Sequence, residues 1–280
     1  MLSRPTLLRS LAAISVLAAT IGLATTAGAA TAEAGPAPNS MASLGDSITR
    51  GFDACGWYVD CTSRSWSTGD YGAVNSHYLR IRSVNPAIGG HNFNDARTGA
   101  VAGDLAGQAG TAVGQQVGYV TVLIGANDAC RDTEAQMTPV TTFHGQVDAA
   151  LDRLHAGLPN ARIFVASIPD LQRLWYVGKG DWRARWVWAV GGICQTMLKN
   201  PTSTAQADVD RRARVRQRVI DFNSALRQSC ARFVHCRYDG GAVFGYPFTF
   251  GMLSGWDYFH PNTTGQAALA QVSYAAGFGW

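Results

Sequence analysis

Met41-Ala42-Ser43-Leu44-Gly45-Asp46-Ser47-Ile48-Thr49-Arg50-Gly51 is the stretch on which the reading of this chain turns. Small and apolar residues, one serine among them, run into Gly-Asp-Ser, and a loop rich in Gly and Asp follows. The pattern predicts a short strand that ends at Leu44 and a tight turn that lifts Ser47 out of the sheet. Gly45 suits a turn that needs an unusual backbone angle or a close approach. A serine at the carboxyl end of a buried strand is well placed for chemistry, because open α/β sheets bind their ligands there. The tripeptide alone is equally well read as a polar turn after a strand, so the reading depends on partners elsewhere.

Outward from this stretch, strand and helix patterns alternate. His91 to Asn94 reads as a short strand. Tyr119 to Ile124 is apolar and β-branched throughout, as expected of a strand buried on both faces, and it empties into Gly125-Ala126-Asn127-Asp128. Ile163 to Ile168 repeats that pattern, and Phe233 to Tyr238 reads as a last short strand. Between them, helices are expected over Tyr71–Asn85, Asp104–Val117 and Thr138–Ala156, from near Asp208 onward, and over Thr263–Ala276 with Asn262 or Thr263 as cap. Arg211, Arg212, Arg214, Arg216 and Arg218 are most simply a solvated face of the fourth of these. Alternation implies parallel strands joined by crossover helices, hence an α/β fold, a three-layer α/β/α sandwich with a parallel central sheet.

With 280 residues, 47% hydrophobic and 15% charged, the composition is that of a globular protein, and the length suits one sizeable α/β domain. A net charge of +4 is too small and scattered to suggest nucleic-acid binding. Arg4 and Arg9, the apolar run Leu11 to Leu23, and small residues at Ala27-Gly28-Ala29 and Ala32-Glu33-Ala34 match a secretory signal peptide. Residues 1–34 are therefore read as signal peptide and lead-in, and residues 35–280 as a single domain of a secreted, extracellular protein. Six cysteines fit export. Although six allow 15 pairings, their order suggests neighbours: Cys55 with Cys61, Cys130 with Cys194, and Cys230 with Cys236. No Cys-x2-Cys or close Cys/His cluster suggests zinc, and neither a metal nor a cofactor is expected.

The partners for Ser47 lie near the other end of the chain, in Trp256-Asp257-Tyr258-Phe259-His260-Pro261-Asn262. Asp257 and His260 stand three apart before a helix, so within one turn they can face the same side. Asp257 could hold His260 in one tautomer and leave the other ring nitrogen for Ser47. Alone, Asp-x-x-His is also a capped surface turn. The other five histidines fall in predicted helices or near short strands and lack such a partner.

Gly45-Asp46-Ser47, Asn94 with Gly99, Gly125-Ala126-Asn127-Asp128 and Asp257-x-x-His260 occur in an order that resembles the SGNH, or GDSL, family of esterases and lipases. The resemblance covers nearly the whole chain after residue 34. It implies Ser47 as nucleophile, His260 as general base and Asp257 as orienting acid. It also implies an oxyanion hole made of the Ser47 N–H, the Gly99 N–H and the Asn127 side chain. Two points differ or stay open. Ala126 stands where the family often has a second glycine, and some members orient the histidine with a main-chain carbonyl instead of an acid. Asp46 and Asp128 are read as structural hydrogen-bonders. Ile124 to Cys130 and Asp104 to Gln108 are similar to the phospholipase B-like and actinobacterial lipase branch, which leans the substrate toward acyl lipids.

Trp175, Tyr176, Trp182, Trp186 and Trp188 crowd an otherwise unassigned stretch from Leu171 to Gly192. They are candidates for substrate contact, as cleft wall or lipid-docking surface, although aromatics this dense also fill cores. The expected protein is a monomeric, metal-independent serine ester hydrolase whose partners are a small-molecule or lipid ester and, transiently, a lipid surface. Its rivals are a carbohydrate O-deacetylase on the same scaffold and a secreted binding module without turnover. An open polar cleft would favour the deacetylase, and a deep apolar one the lipid enzyme.

Overall fold

A computed structural model describes residues 1, 2 and 35–280. The expected signal peptide therefore lies outside the described residues, apart from its first two. Five strands form one sheet: β1 (Met41–Gly45), β2 (Asn92–Asn94), β3 (Tyr119–Leu123), β4 (Arg162–Val165) and β5 (Cys236–Tyr238). All neighbours are parallel, in the order β2-β1-β3-β4-β5. β1 and β3 are wholly buried, which explains why they lack the alternation of a half-exposed strand.

The chain leaves β1 toward one edge to make β2, then returns past β1 to make β3. The sheet therefore has its topological switch between β1 and β3, where two outgoing loops part and leave a crevice. The helices are α1 (His77–Val84), α2 (Leu105–Gly114), α3 (Ala126–Ala129), α4 (Val140–Gly157), α5 (Leu171–Gly178), α6 (Trp182–Val190), α7 (Gln195–Leu198), α8 (Gln206–Cys230), α9 (Ala242–Gly245) and α10 (Thr263–Ala276). α2, α4 and α8 pack side by side, and α1 meets α10 through the buried His77 ring. That ring bonds Tyr119 of β3 at 2.8 Å and Ser273 of α10 at 2.8 Å. Burial pushes His77 down to about 3, so it sits in the core as a neutral, fully bonded ring.

α4 and α10 follow directly from apolar spacing. Phe143, Val147, Leu151 and Leu154 bury one face of α4, and the Asn262 side chain accepts from Gly265 N–H to cap α10. The helix expected over Tyr71–Asn85 starts only at His77, because Ser76 caps it by accepting from Leu79 N–H. Leu171–Gly192, unassigned from sequence, holds α5 and α6, each capped by an aspartate, Asp170 and Asp181. α6 conceals itself by carrying apolar residues on both faces: Ala184 and Trp188 are buried, while Trp182, Trp186 and Val190 are exposed.

The arginines of α8 are not a simple solvated face. Arg212 is only 3% exposed. It donates to the Ser203 carbonyl and lies 4.5 Å from the Trp175 ring centroid. Arg214 pairs with Glu134, Arg216 with Asp170, Arg211 with Asp208, and Arg218 donates to the Thr138 carbonyl. Long stems let these side chains cover apolar surface while their heads reach neighbouring loops. The three disulfides join Cys55 to Cys61, Cys130 to Cys194 and Cys230 to Cys236.

The end of β1 is fixed by a buried amide. Gln108 of α2 accepts from Gly45 N–H at 2.7 Å and donates to Gly45 C=O at 2.9 Å. The Gly45 carbonyl also accepts from Arg97 N–H, but the Gly45 N–H has Gln108 as its partner and would otherwise be buried unpaired. Gln108→Leu should therefore cost about 1–3 kcal/mol for the stranded N–H, read as a lower midpoint in denaturant unfolding with an unchanged slope.

Candidate active site

The strand does not end at Leu44, because Gly45 still pairs with Leu123 of β3. Gly45 has φ 145°, and a Cβ there would strike the Leu123 carbonyl. Only glycine allows the chain to leave β1 at this angle. The turn that follows is held from the opposite side by a second buried glutamine. Gln266 of α10 donates to the Ile48 carbonyl at 2.8 Å and accepts from Trp66 N–H at 3.0 Å. Asn94 at the end of β2 donates to the Thr49 carbonyl at 2.9 Å. Ser47 is thus presented by a turn braced from α2, α10 and β2, with 6% of its surface exposed.

His260 Nε2 lies 2.7 Å from Ser47 Oγ, across 213 residues of sequence. His260 Nδ1 bonds Asp257 Oδ2, and Asp257 Oδ1 accepts from Phe259 N–H at 2.9 Å and His260 N–H at 3.0 Å. The loop is fixed locally: Ser254 N–H donates to the His260 carbonyl, and Trp188 Nε1 donates to the Tyr258 carbonyl. Burial pushes the Asp257 carboxyl up, but His260 and the two backbone N–H groups outweigh it and hold the group below the usual carboxylate range. An ionised Asp257 fixes the tautomer in which His260 Nε2 is free to accept a proton from Ser47.

The loops that carry Gly99 and Asn127 are tied to each other and to the end of β1. Arg97 N–H donates to the Gly45 carbonyl at 3.1 Å, and the Asn127 side-chain amide donates to the Ala100 carbonyl at 2.9 Å. Gly99 lies between these anchors with φ 81° and open space where a Cβ would stand. The backbone angle, in the left-handed region, favours glycine here. One N–H of the Asn127 amide remains for another acceptor. Asp128 accepts from Thr138 Oγ1 and from Ala102 N–H, so it fastens this corner. Asp46 Oδ1 accepts from Ile48 N–H at 2.9 Å, and burial pushes its carboxyl up to about 7.

An apolar cleft opens beside the serine, lined in part by Ile48, Ala126, Leu174, Phe248, Phe259 and Pro261. Its walls therefore include the sequence neighbours of Ser47, Asn127 and His260. Its volume is about 50 Å³, far below the several hundred of a pocket for a bulky ligand. None of Trp175, Tyr176, Trp182, Trp186 and Trp188 lines it, which corrects the expectation that they form its wall. Trp188 is fully buried. Trp175 is half-buried and donates to the Pro201 carbonyl. Tyr176, Trp182 and Trp186 point to solvent. The segment lines the cleft instead through Leu171, Leu174 and Val177 of α5.

Sequence reasoning missed Asp53, whose carboxyl stands with Asp257 and His260 in a cluster less than 4.8 Å across. Nothing in its spacing marks it, since it arrives through a left-handed turn with φ 64°. The trio has metal-ligand residue types, but both His260 nitrogens are engaged. A cation there would have to displace Ser47 or Asp257, so the donor set does not fit a resident metal.

The fold is shared with a solved structure from Parabacteroides merdae described as a GDSL-like lipase, at TM-score 0.53 and 16% identity over 85% of this chain and 94% of that one. Phospholipase A1 of Streptomyces albidoflavus is similar at TM-score 0.46 and 18% identity, covering 85% of this chain and 97% of that one. A family 3 carbohydrate esterase of Clostridium thermocellum gives 0.47 and 12%, covering 84% and 93%. No curated protein matches the sequence. The GDSL-like lipase/acylhydrolase family matches residues 43–268, a span that includes the Ser47 turn, the Gly99 and Asn127 loops and the Asp257–His260 pair, and the chain belongs to that family.

Proposed function

We propose that this protein is a secreted carboxylic ester hydrolase acting on acyl lipids through a Ser47–His260–Asp257 triad. The observation that carries the proposal is the unbroken hydrogen-bonded chain from Asp257 through His260 to Ser47. Ser47 Oγ attacks the ester carbonyl as His260 Nε2 takes its proton. The oxyanion develops against the Ser47 and Gly99 N–H groups and the free N–H of Asn127. Collapse expels the alcohol, which leaves with the proton held by His260. Water then repeats the cycle on the acyl-serine and releases the acid.

The narrow apolar cleft favours a fatty acyl chain over a sugar ring as the occupant nearest the serine. Export is supported by the three disulfides, and none of the described helices is long and apolar enough to cross a membrane. Residues 35–280 act as one hydrolase domain and as a monomer in this reading. α6, which exposes Trp182 and Trp186, touches the catalytic loop through its buried Trp188, which bonds the Tyr258 carbonyl, and Tyr176 of α5 is exposed as well. Arg183, Arg185 and Lys179 are interleaved with them. Aromatic and basic side chains together suit the boundary of a lipid surface, which this face touches transiently.

Ser47→Ala should lower kcat on a nitrophenyl ester by roughly ten-thousandfold or more with the fold retained. Asn127→Ala should lower kcat by about a hundred- to a thousandfold with little change in KM. A panel of esters should show preference for linear acyl chains over acetylated sugars; the reverse preference would replace the lipid reading with the deacetylase one. Trp182→Ala with Trp186→Ala should reduce hydrolysis of phosphatidylglycerol-containing vesicles by roughly tenfold while hydrolysis of a short soluble ester stays within twofold.

A further inference from the structure

Asp53 is a carboxyl group at the triad that the mechanism leaves unused. It is 1% exposed, and neither of its oxygens has a hydrogen-bond partner among the described residues. Its backbone is held in place by two residues of the loop clipped by Cys55–Cys61: Asp53 N–H donates to the Val59 carbonyl at 3.0 Å, and its carbonyl accepts from Gly56 N–H at 3.3 Å. Two buried carboxyl groups this close do not both stay ionised. The distribution of donors decides which keeps a proton. Asp257 accepts from the His260 ring and from two backbone N–H groups, whereas Asp53 accepts from none. With Oδ1 fully used and Oδ2 bonded once, Asp257 retains room for one more donor.

We propose that Asp53 is a positioning residue for the triad: as the neutral acid it donates its O–H to Asp257 and completes the shell that aims the His260 ring at Ser47. The idea rests on the hydrolase reading above. Burial, followed by the charge of Asp257, pushes the Asp53 carboxyl up to about 7. The groups that face it are Asp257, His260 and the Ser254 hydroxyl from the catalytic loop, and the Tyr58 phenol from its own loop. Arg64 stands across the polar cavity that Asp53 lines. Below about pH 7 the donor is present. Above it the proton passes to solvent, the donor is lost, and a second negative charge stands against Asp257.

Asparagine keeps a neutral donor at every pH, and leucine keeps none. Asp53→Asn should match wild-type kcat within about twofold at pH 6, and its ratio to wild type should rise roughly threefold or more by pH 8.5. Asp53→Leu should lose about tenfold in kcat at pH 6 with KM within twofold, the effect of one hydrogen bond to a charged group. A flat or falling Asp53→Asn ratio, or equal impairment of the two variants at pH 6, would overturn the proposal. Should the leucine variant not fold, infrared spectroscopy decides. The wild-type-minus-Asp53→Asn difference at pH 6 should contain a protonated-carboxyl stretch that disappears by pH 8.5, and its absence at pH 6 would sink the idea. That band does not depend on turnover. A Ser47→Ala variant that kept full esterase activity would bring down the hydrolase reading and leave the infrared test standing.

Discussion

The structure depends on the bracing of one turn. Ser47 stands where β1 ends beside β3, and two buried glutamines hold the turn from opposite sides of the sheet: Gln108 on Gly45 and Gln266 on Ile48. Each satisfies a backbone N–H that would otherwise be buried unpaired, Gly45 for Gln108 and Trp66 for Gln266, and such groups are expensive in a low-dielectric interior. Gln266 also sits six residues after His260, so the bond that fixes the serine fixes the start of the helix that follows the base. Nucleophile and base are 213 residues apart in sequence, yet a single side chain ties their two segments together.

The sheet supplies the remaining geometry. β1 and β3 are neighbours at the point where strand order reverses, so the loops leaving them diverge around a crevice. One loop carries Ser47 and the other Asn127, and the turn after β2 brings Gly99 between Arg97 and Ala100, which are anchored to Gly45 and Asn127. The apolar cleft begins at the same corner because Ile48 and Ala126 adjoin these groups and face its interior. Burial then sets the electrostatics. Asp257 remains ionised because three donors converge on it, while Asp46 and Asp53, with few donors or none, are pushed toward neutrality.

The long periodic elements were legible from spacing alone. α4 and α10 bury one face each, and β3 is apolar because both its faces are covered. α5 and α6 were not legible, because α6 exposes Trp182, Trp186 and Val190 opposite its buried Trp188 and so has no polar face to reveal its period. The arginines of α8 misled for a related reason. Composition marks them as solvated, but Arg212 finds a carbonyl and an aromatic ring that only the folded chain provides.

The sequence by itself determined the class of fold and the candidate chemistry and suggested the disulfide partners, since these reside in short patterns: apolar strands, neighbouring cysteines, and Gly-Asp-Ser and Asp-x-x-His with their family resemblance. Only the tertiary structure decided that Asp257, rather than a main-chain carbonyl, faces His260 Nδ1. It also decided which aromatic residues are buried, that α5 rather than the tryptophans lines the cleft, and that Asp53 stands against the triad. The physical reason is that these are distances between segments far apart in the chain, or approaches made through left-handed turns, and neither leaves a period or spacing in the sequence.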